Sequence, residues 1–225
     1  MSAKLKAVIF DLDGTLVDSA RDLTATLNYV LRHRGRPEIG IENVRHMVGH
    51  GSRALLIKGF DYSGNVPPEE ELDRLQEMFL DYYNNHIADH TISFPGLWEA
   101  LTELRSNDVK LAVCTNKVED LSHKLLQSLG LDDFFCALTG GDSFDYKKPD
   151  PRHLLSTLEL MDCDPDNAVM VGDSANDIDA ARNASIPVIG VTFGYTPVPV
   201  EELNPDQVID HYDKLIPALR EIMKT

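Results

Sequence analysis

The sequence predicts an α/β fold: a Rossmann-like parallel sheet core interrupted by a small, inserted, all-helical domain. Three observations carry this. Short unbroken apolar runs recur along the chain, as strands buried on both faces do. From about residue 96 to the C-terminus these runs alternate with helical patterns, the signature of βαβ units. Between residues 16 and 89 the alternation stops and only helical patterns appear. The expected division is therefore residues 1–15 and 90–225 for the core and 16–89 for the insert.

The first strand is expected from Lys6 to Leu12, where Ala7-Val8-Ile9-Phe10 is wholly apolar. In the insert, Leu23, Leu27, Val30 and Leu31 share one helical face, and Val44, Met47 and Val48 a second. Leu72, Leu75, Phe79 and Tyr82 make a third, opened by Glu69-Glu70-Glu71 after two prolines, acidic residues that suit a helix first turn. Gly35, Gly49 and Gly51 punctuate these helices. Tyr82 and Tyr83 are expected to pack within the insert.

In the second half, Leu97, Leu101 and Leu104 form a helix before the strand Lys110–Thr115. Leu121, Leu125 and Leu129 form the next, stopped by Gly130. The strand Ala137–Gly140 leads to a helix opened by Pro151 that carries Leu154, Leu155 and Leu158. The strand Ala168–Gly172, a short helix with Ile178 and Ala181, and the strand Pro187–Thr192 follow. Val208-Ile209 is a short strand, and Leu215, Leu219 and Ile222 mark the last helix.

Composition narrows the function. The 43% hydrophobic content is ample for a packed core. A net charge of −16 argues against nucleic acid or an anionic membrane as partner, since both need a basic footprint. Cys114, Cys136 and Cys163 are scattered without a CxxC pair, which fits a reducing compartment and no structural zinc. No apolar run reaches membrane length, and Met1–Lys6 is too short for a signal peptide. The expectation is a cytoplasmic monomer or homodimer acting on a small molecule. An anionic substrate would have to be caught by a local positive site.

Ligands in open parallel sheets bind beyond the carboxyl ends of the strands. The first strand is followed by Asp11-Leu12-Asp13-Gly14-Thr15, and the strand Lys110–Thr115 delivers Thr115 and Asn116. The third is followed by Lys147-Lys148-Pro149-Asp150-Pro151, and Ala168–Gly172 by Asp173-Ser174 and then Asp177. Each alone reads as a turn, a helix cap or a solvated charge. Together they put carboxylates, a hydroxyl and a lysine at one sheet edge. Such a set can hold a hard divalent cation through oxygen. One carboxylate can then attack phosphorus, and another can move the proton of the leaving oxygen and of water. The hydroxyl and the lysine stabilise the phosphoryl oxygens.

These segments resemble the four motifs of the haloacid dehalogenase-like superfamily, in order and over the whole chain. The resemblance implies that Asp11 is the nucleophile and a Mg2+ ligand. Asp13 would be the acid and base, with its backbone carbonyl on the metal. Thr115, Asn116 and Lys148 would hold phosphate, with Lys148 also steadying Asp11; it is preferred to Lys147 because it directly precedes Pro149. Asp173 would be the third protein ligand and Asp177 its support. The helical insert would be a cap over the site. Asp13 argues against dehalogenases and phosphonate hydrolases, which lack that acid, and Thr15 favours phosphatases over phosphomutases.

A finer resemblance is to the phosphoglycolate phosphatase branch. It rests on Phe10–Ser19, Val48-Gly49-His50-Gly51, Phe94-Pro95-Gly96, Val191–Tyr195 and the tail Asp206–Leu219. The expected reaction is hydrolysis of 2-phosphoglycolate, a small phosphorylated acid, through an aspartyl-phosphate. A sugar-phosphate phosphatase, a pyrophosphatase or a phosphomutase with the same kind of cap stays open as an alternative, as does a non-enzymatic binding protein. In the cap, Gly49, His50 and Arg53 are expected to meet the substrate, Arg53 gripping its carboxylate. Gly49-x-Gly51-x-x-Ala54 mimics a dinucleotide fingerprint, but it follows a helical pattern rather than a strand, so that reading fails. Cys114 reads as core, and Ser174 lacks a nucleophile elbow.

Overall fold

The computed structural model describes residues 5–224. The chain opens with β1 (Ala7–Phe10) and the short β2 (Val17–Asp18). The helices α1 (Ala20–His33), α2 (Ile41–Arg45), α3 (Ser52–Tyr62) and α4 (Glu69–Asn85) follow without a strand between them. β3 (Ile92–Ser93) brings the chain back. Then come α5 (Leu97–Ser106), β4 (Lys110–Cys114), α6 (Glu119–Ser128), β5 (Ala137–Thr139) and α7 (Pro151–Leu160). The chain ends with β6 (Ala168–Gly172), α8 (Ala175–Asn183), β7 (Val188–Val191), β8 (Gln207–Ile209) and α9 (Leu215–Ile222).

Among the described residues, β5-β4-β1-β6-β7-β8 form one sheet in that order, and every pairing in it is parallel. The chain moves from β1 outward through β4 and β5, then returns to the other side of β1 for β6. Strand order thus reverses at β1, which opens a crevice beyond the carboxyl ends of β1, β4 and β6.

The inner strands β1, β4, β6 and β7 are buried on both faces, which explains their unbroken apolar runs. Successive residues of β1 enter different cores, as the two-residue period of a strand requires. Val8 and Phe10 join Leu111, Val113, Val169 and Val171 on one face, where α5, α6 and α9 pack. Ala7 and Ile9 join Ala112, Cys114 and Met170 on the other, against Leu154 and Leu158 of α7 and Ile178 of α8. The first core runs on into the insert through Leu23, Leu27, Leu56, Phe60 and Phe79. Each of these large side chains contributes roughly 1.5–3 kcal/mol by leaving water.

The structure departs from the sequence expectation in the insert. α3 occupies a segment in which no helix was expected, and α2 ends at Arg45, before Met47 and Val48. β2 and β3 pair antiparallel, Val17 with Ser93 and Asp18 with Ile92, in a two-stranded ribbon between sheet and insert. Tyr83, rather than Tyr82, is the buried member of the tyrosine pair. Among the described residues, no helix is long and apolar enough to cross a membrane.

Candidate active site

Asp11 continues the β1 register, its N–H donating to the Val171 carbonyl at 3.0 Å. The chain then turns sharply, with the Leu16 and Val17 N–H groups both returning to the Leu12 carbonyl. Gly14 sits in this turn at φ 88°, where a side chain would be strained, and a Cβ there would lie 2.6 Å from Asp173 Oδ2. The turn therefore presses the first strand's loop against the loop after β6.

Asp11, Asp173 and Asp177 converge, each offering an oxygen within 4.8 Å of the others. Lys148 Nζ lies 2.9 Å from Asp11 Oδ1 and 2.5 Å from Asp177 Oδ1. The other Asp177 oxygen accepts from the Ser174 N–H at 3.0 Å and its hydroxyl at 2.7 Å, completing a capping box on α8. Asp173 accepts from the Tyr195 N–H at 2.7 Å and from the Thr15 hydroxyl at 3.2 Å. Asp177 is thus turned toward Lys148 and its own helix, while Asp11 and Asp173 keep acceptor capacity free.

The electrostatics are those of a cluster short of positive charge. Burial pushes Asp11 up to about 6, Lys148 opposing and Asp177 adding to the effect. Asp173 is likewise raised well above the usual carboxylate range, by burial and then by Asp177 and Asp11. Burial disfavours the Lys148 ammonium, but its two carboxylates outweigh that and raise its pKa. Three buried carboxylates against one ammonium form an all-oxygen donor set that a hard divalent cation fits.

Asp13 points elsewhere. Its carboxylate accepts from the Ser19 hydroxyl at 2.5 Å and from Lys117 Nζ at 3.1 and 3.0 Å. Asp13 and Asp11 line one cavity with Thr115, Asn116 and Lys117 below and insert residues above. Cys114 is buried core, its thiol pushed up to about 11 by burial, and so is a poor nucleophile.

The insert reaches this cavity through the loop before α3. The Gly49 carbonyl accepts from the side-chain amides of Asn116 and Asn176, both at 3.0 Å. Lys147, the lysine not assigned to the site, donates to the His50 carbonyl at 3.2 Å. His50 Nδ1 meets Asn176 Nδ2 at 3.1 Å, and burial, then Lys58 and Lys147, lower the His50 pKa. Gly49 and His50 are thus brought to the edge of the site.

Arg53 is not. The segment expected to be a loop through Arg53 becomes helical at Ser52, and this turns Arg53 toward α4. There it bonds Asp73 at 2.8 Å, Gln76 at 2.9 Å and Glu69 at 2.5 Å, outside the cavity. The acidic first turn of α4 captures the guanidinium. The sequence reading missed Lys117, whose Nζ also donates to the Tyr83 hydroxyl at 2.8 Å. Its one sequence signal was its place two residues after Thr115, beyond a strand end that had already supplied candidates.

Comparison with known proteins follows the same lines. A profile of haloacid dehalogenase-like hydrolases matches residues 8–191, from β1 to the end of β7. A phosphoglycolate phosphatase of Agrobacterium fabrum is 46% identical over 95% of this chain and 91% of its own. One from Caulobacter vibrioides is 44% identical over 91% and 86%. A crystal structure described as a predicted phosphoglycolate phosphatase from Haemophilus somnus superposes with a TM-score of 0.90 at 30% identity, covering 95% of this chain and 97% of that one. A β-phosphoglucomutase structure from Clostridium difficile, 23% identical, shares the fold with a TM-score of 0.81 over 98% and 97% of the two chains. With the profile running unbroken from the Asp11 loop past Asp173, and relatives matched over nearly their full length, the chain belongs to the haloacid dehalogenase-like hydrolases.

Proposed function

We propose that this chain is a Mg2+-dependent phosphatase that hydrolyses 2-phosphoglycolate to glycolate and phosphate through an aspartyl-phosphate on Asp11. The carrying observation is the placement of Asp11. It stands at the strand-order reversal, held by Lys148 at 2.9 Å, on a cavity wall shared with Asp13. Asp11, the Asp13 main chain and Asp173 would hold Mg2+, with Asp177 behind them. When bound, the cation offsets the negative charge that otherwise keeps a phosphate ester away from carboxylates.

An Asp11 oxygen attacks phosphorus, and the bond to the glycolate oxygen breaks as Asp13 delivers a proton to it. Asp13 then takes a proton from water, whose oxygen attacks phosphorus and releases Asp11. Thr115 and Lys148 stabilise the phosphoryl oxygens as charge builds on them. The insert residues over the cavity keep bulk water from Asp11 during the first step. Leu23, Val48, Leu55, Phe79, Leu80 and Leu121 give the cavity an apolar wall with few partners for sugar hydroxyls, which supports a short acid as leaving group. The phosphoglycolate phosphatases among the relatives support the same substrate. The free cysteines fit a reducing, cytoplasmic setting.

Phosphate release should be screened over small phosphorylated acids, sugars and nucleotides with Mg2+. Phosphoglycolate is expected to give the highest kcat/KM, and Asp11→Asn to abolish turnover in a protein that still folds. A sugar phosphate at the head of the series would overturn the substrate, and an active Asp11→Asn enzyme the covalent route.

A further inference from the structure

We infer that Lys117 is the specificity residue that meets the substrate's carboxylate. This rests on the phosphoglycolate reading and adds what that reading lacks, a cation for the second anionic end. The metal site and Lys148 serve the phosphate. Arg53 is held by α4 and does not reach the cavity.

Lys117 carries the only ammonium or guanidinium among the described residues that line the cavity with Asp11 and Asp13. Its backbone N–H donates to the Thr115 hydroxyl at 3.3 Å, a local turn that follows β4 directly. Its side chain is nearly buried, at 7% exposure. Nζ is fixed between Asp13 and the Tyr83 hydroxyl and stands 4.4 Å above the Tyr83 ring. The two Asp13 oxygens, at 3.1 and 3.0 Å, can share one bifurcated N–H and the Tyr83 hydroxyl at 2.8 Å takes a second, so the third N–H can serve a substrate carboxylate. The anchors come from opposite sides: Asp13 from the sheet and Tyr83 from α4. Lys117 therefore sits at the seam between the chemistry and the insert. In phosphoglycolate a single carbon separates the ester oxygen from the carboxylate. A cation bonded to Asp13, the group that protonates that ester oxygen, is within reach of both.

A second cation competes. The loop Gly49–Gly51 has another hollow on its far side, lined by Lys58, His46, His50, Asp13 and Asp173. Asp11 does not line that hollow, and Lys58 Nζ donates to the Met47 carbonyl at 3.3 Å. Asp11 lines the cavity that holds Lys117 and not the hollow that holds Lys58, which favours Lys117 as the cation for a substrate held at Asp11.

The test compares kcat/KM for 2-phosphoglycolate with that for 2-hydroxyethyl phosphate, which replaces the carboxylate by a hydroxymethyl group. The ratio cancels the fraction of folded enzyme and any loss common to both substrates, including disturbance of Asp13. Lys117→Met is expected to lower the ratio by roughly 10- to 100-fold, the range for one charge-assisted hydrogen bond. Lys117→Arg should recover part of it, and Lys58→Met should keep the wild-type ratio. An unchanged ratio in Lys117→Met, with both substrates slowed alike, would make Lys117 a support for Asp13 and overturn the assignment. So would a ratio that collapses in Lys58→Met instead. A wild-type enzyme that does not distinguish the two substrates would overturn the phosphoglycolate reading itself, a result separable from the other two.

Discussion

A single ammonium, Lys148, faces the carboxylates of Asp11 and Asp177 in a site from which water is nearly excluded. This imbalance has a consequence for stability. Burial raises Asp11 from 3.8 to about 6, so the folded protein holds that proton more tightly than the unfolded chain does. Below about pH 4 the group is protonated in both states and costs nothing. As pH rises through about 6, the folded state must ionise it at a loss on the order of 2–3 kcal/mol. Asp173, raised by the same burial, acts in the same direction. Denaturant unfolding of chelator-treated protein is expected to show stability falling from pH 4 to 6.5. Mg2+ should restore it mainly above pH 6, and the fall should be smaller in Asp11→Asn. A flat profile without metal would mean that the carboxylates are better solvated than their burial indicates. Much of this residue-level picture was legible in the sequence, because Asp11, Lys148, Asp173 and Asp177 all follow strand ends that the fold class places side by side. Lys117 was not, because its partner Tyr83 belongs to a different element, 34 residues upstream. Only the folded chain brings them together.

Among the elements, α3 explains most of what the sequence hid. Leu55, Leu56 and Phe60 face its core side, but Gly51 before it and Gly59 within it mask a helix of eleven residues. The sequence pattern therefore places Arg53 in the loop from Gly49, whereas α3 begins at Ser52 and carries Arg53 away from it. β2 and β3 have two residues each, too short for any period to show. The sheet strands, by contrast, were legible from their apolar runs alone, with ends displaced by a residue or two. The loop before α3 makes its own prediction. Gly51 has φ 90°, and a Cβ there would stand 3.1 Å from the Asn116 carbonyl oxygen. Gly51→Ala is expected to cost about 1–3 kcal/mol of stability through backbone strain. It should also raise KM, because the same loop holds Gly49 between Asn116 and Asn176. A lower Tm with unchanged KM would show that the loop does not form part of the substrate chamber.

For the whole molecule the dominant quantity is a net charge of −16. An approaching phosphorylated acid is repelled until it is within reach of Lys148 and Lys117. Added salt screens that repulsion over about 10 Å at 0.1 M. kcat/KM for phosphoglycolate is therefore expected to rise between about 10 and 100 mM salt, opposite to the fall seen when a positive field steers an anion. A fall would show that the local cations govern the encounter. The β2–β3 ribbon has a different consequence. Because Val17 pairs with Ser93 and Asp18 with Ile92, the insert leaves and rejoins the core at the same point. A stretch of chain whose two ends already lie side by side can be lengthened, shortened or exchanged without moving the sheet beneath it. The roof of the cavity can then be rebuilt within one continuous stretch of chain while the sheet that carries Asp11, Lys117, Lys148 and Asp173 keeps its place.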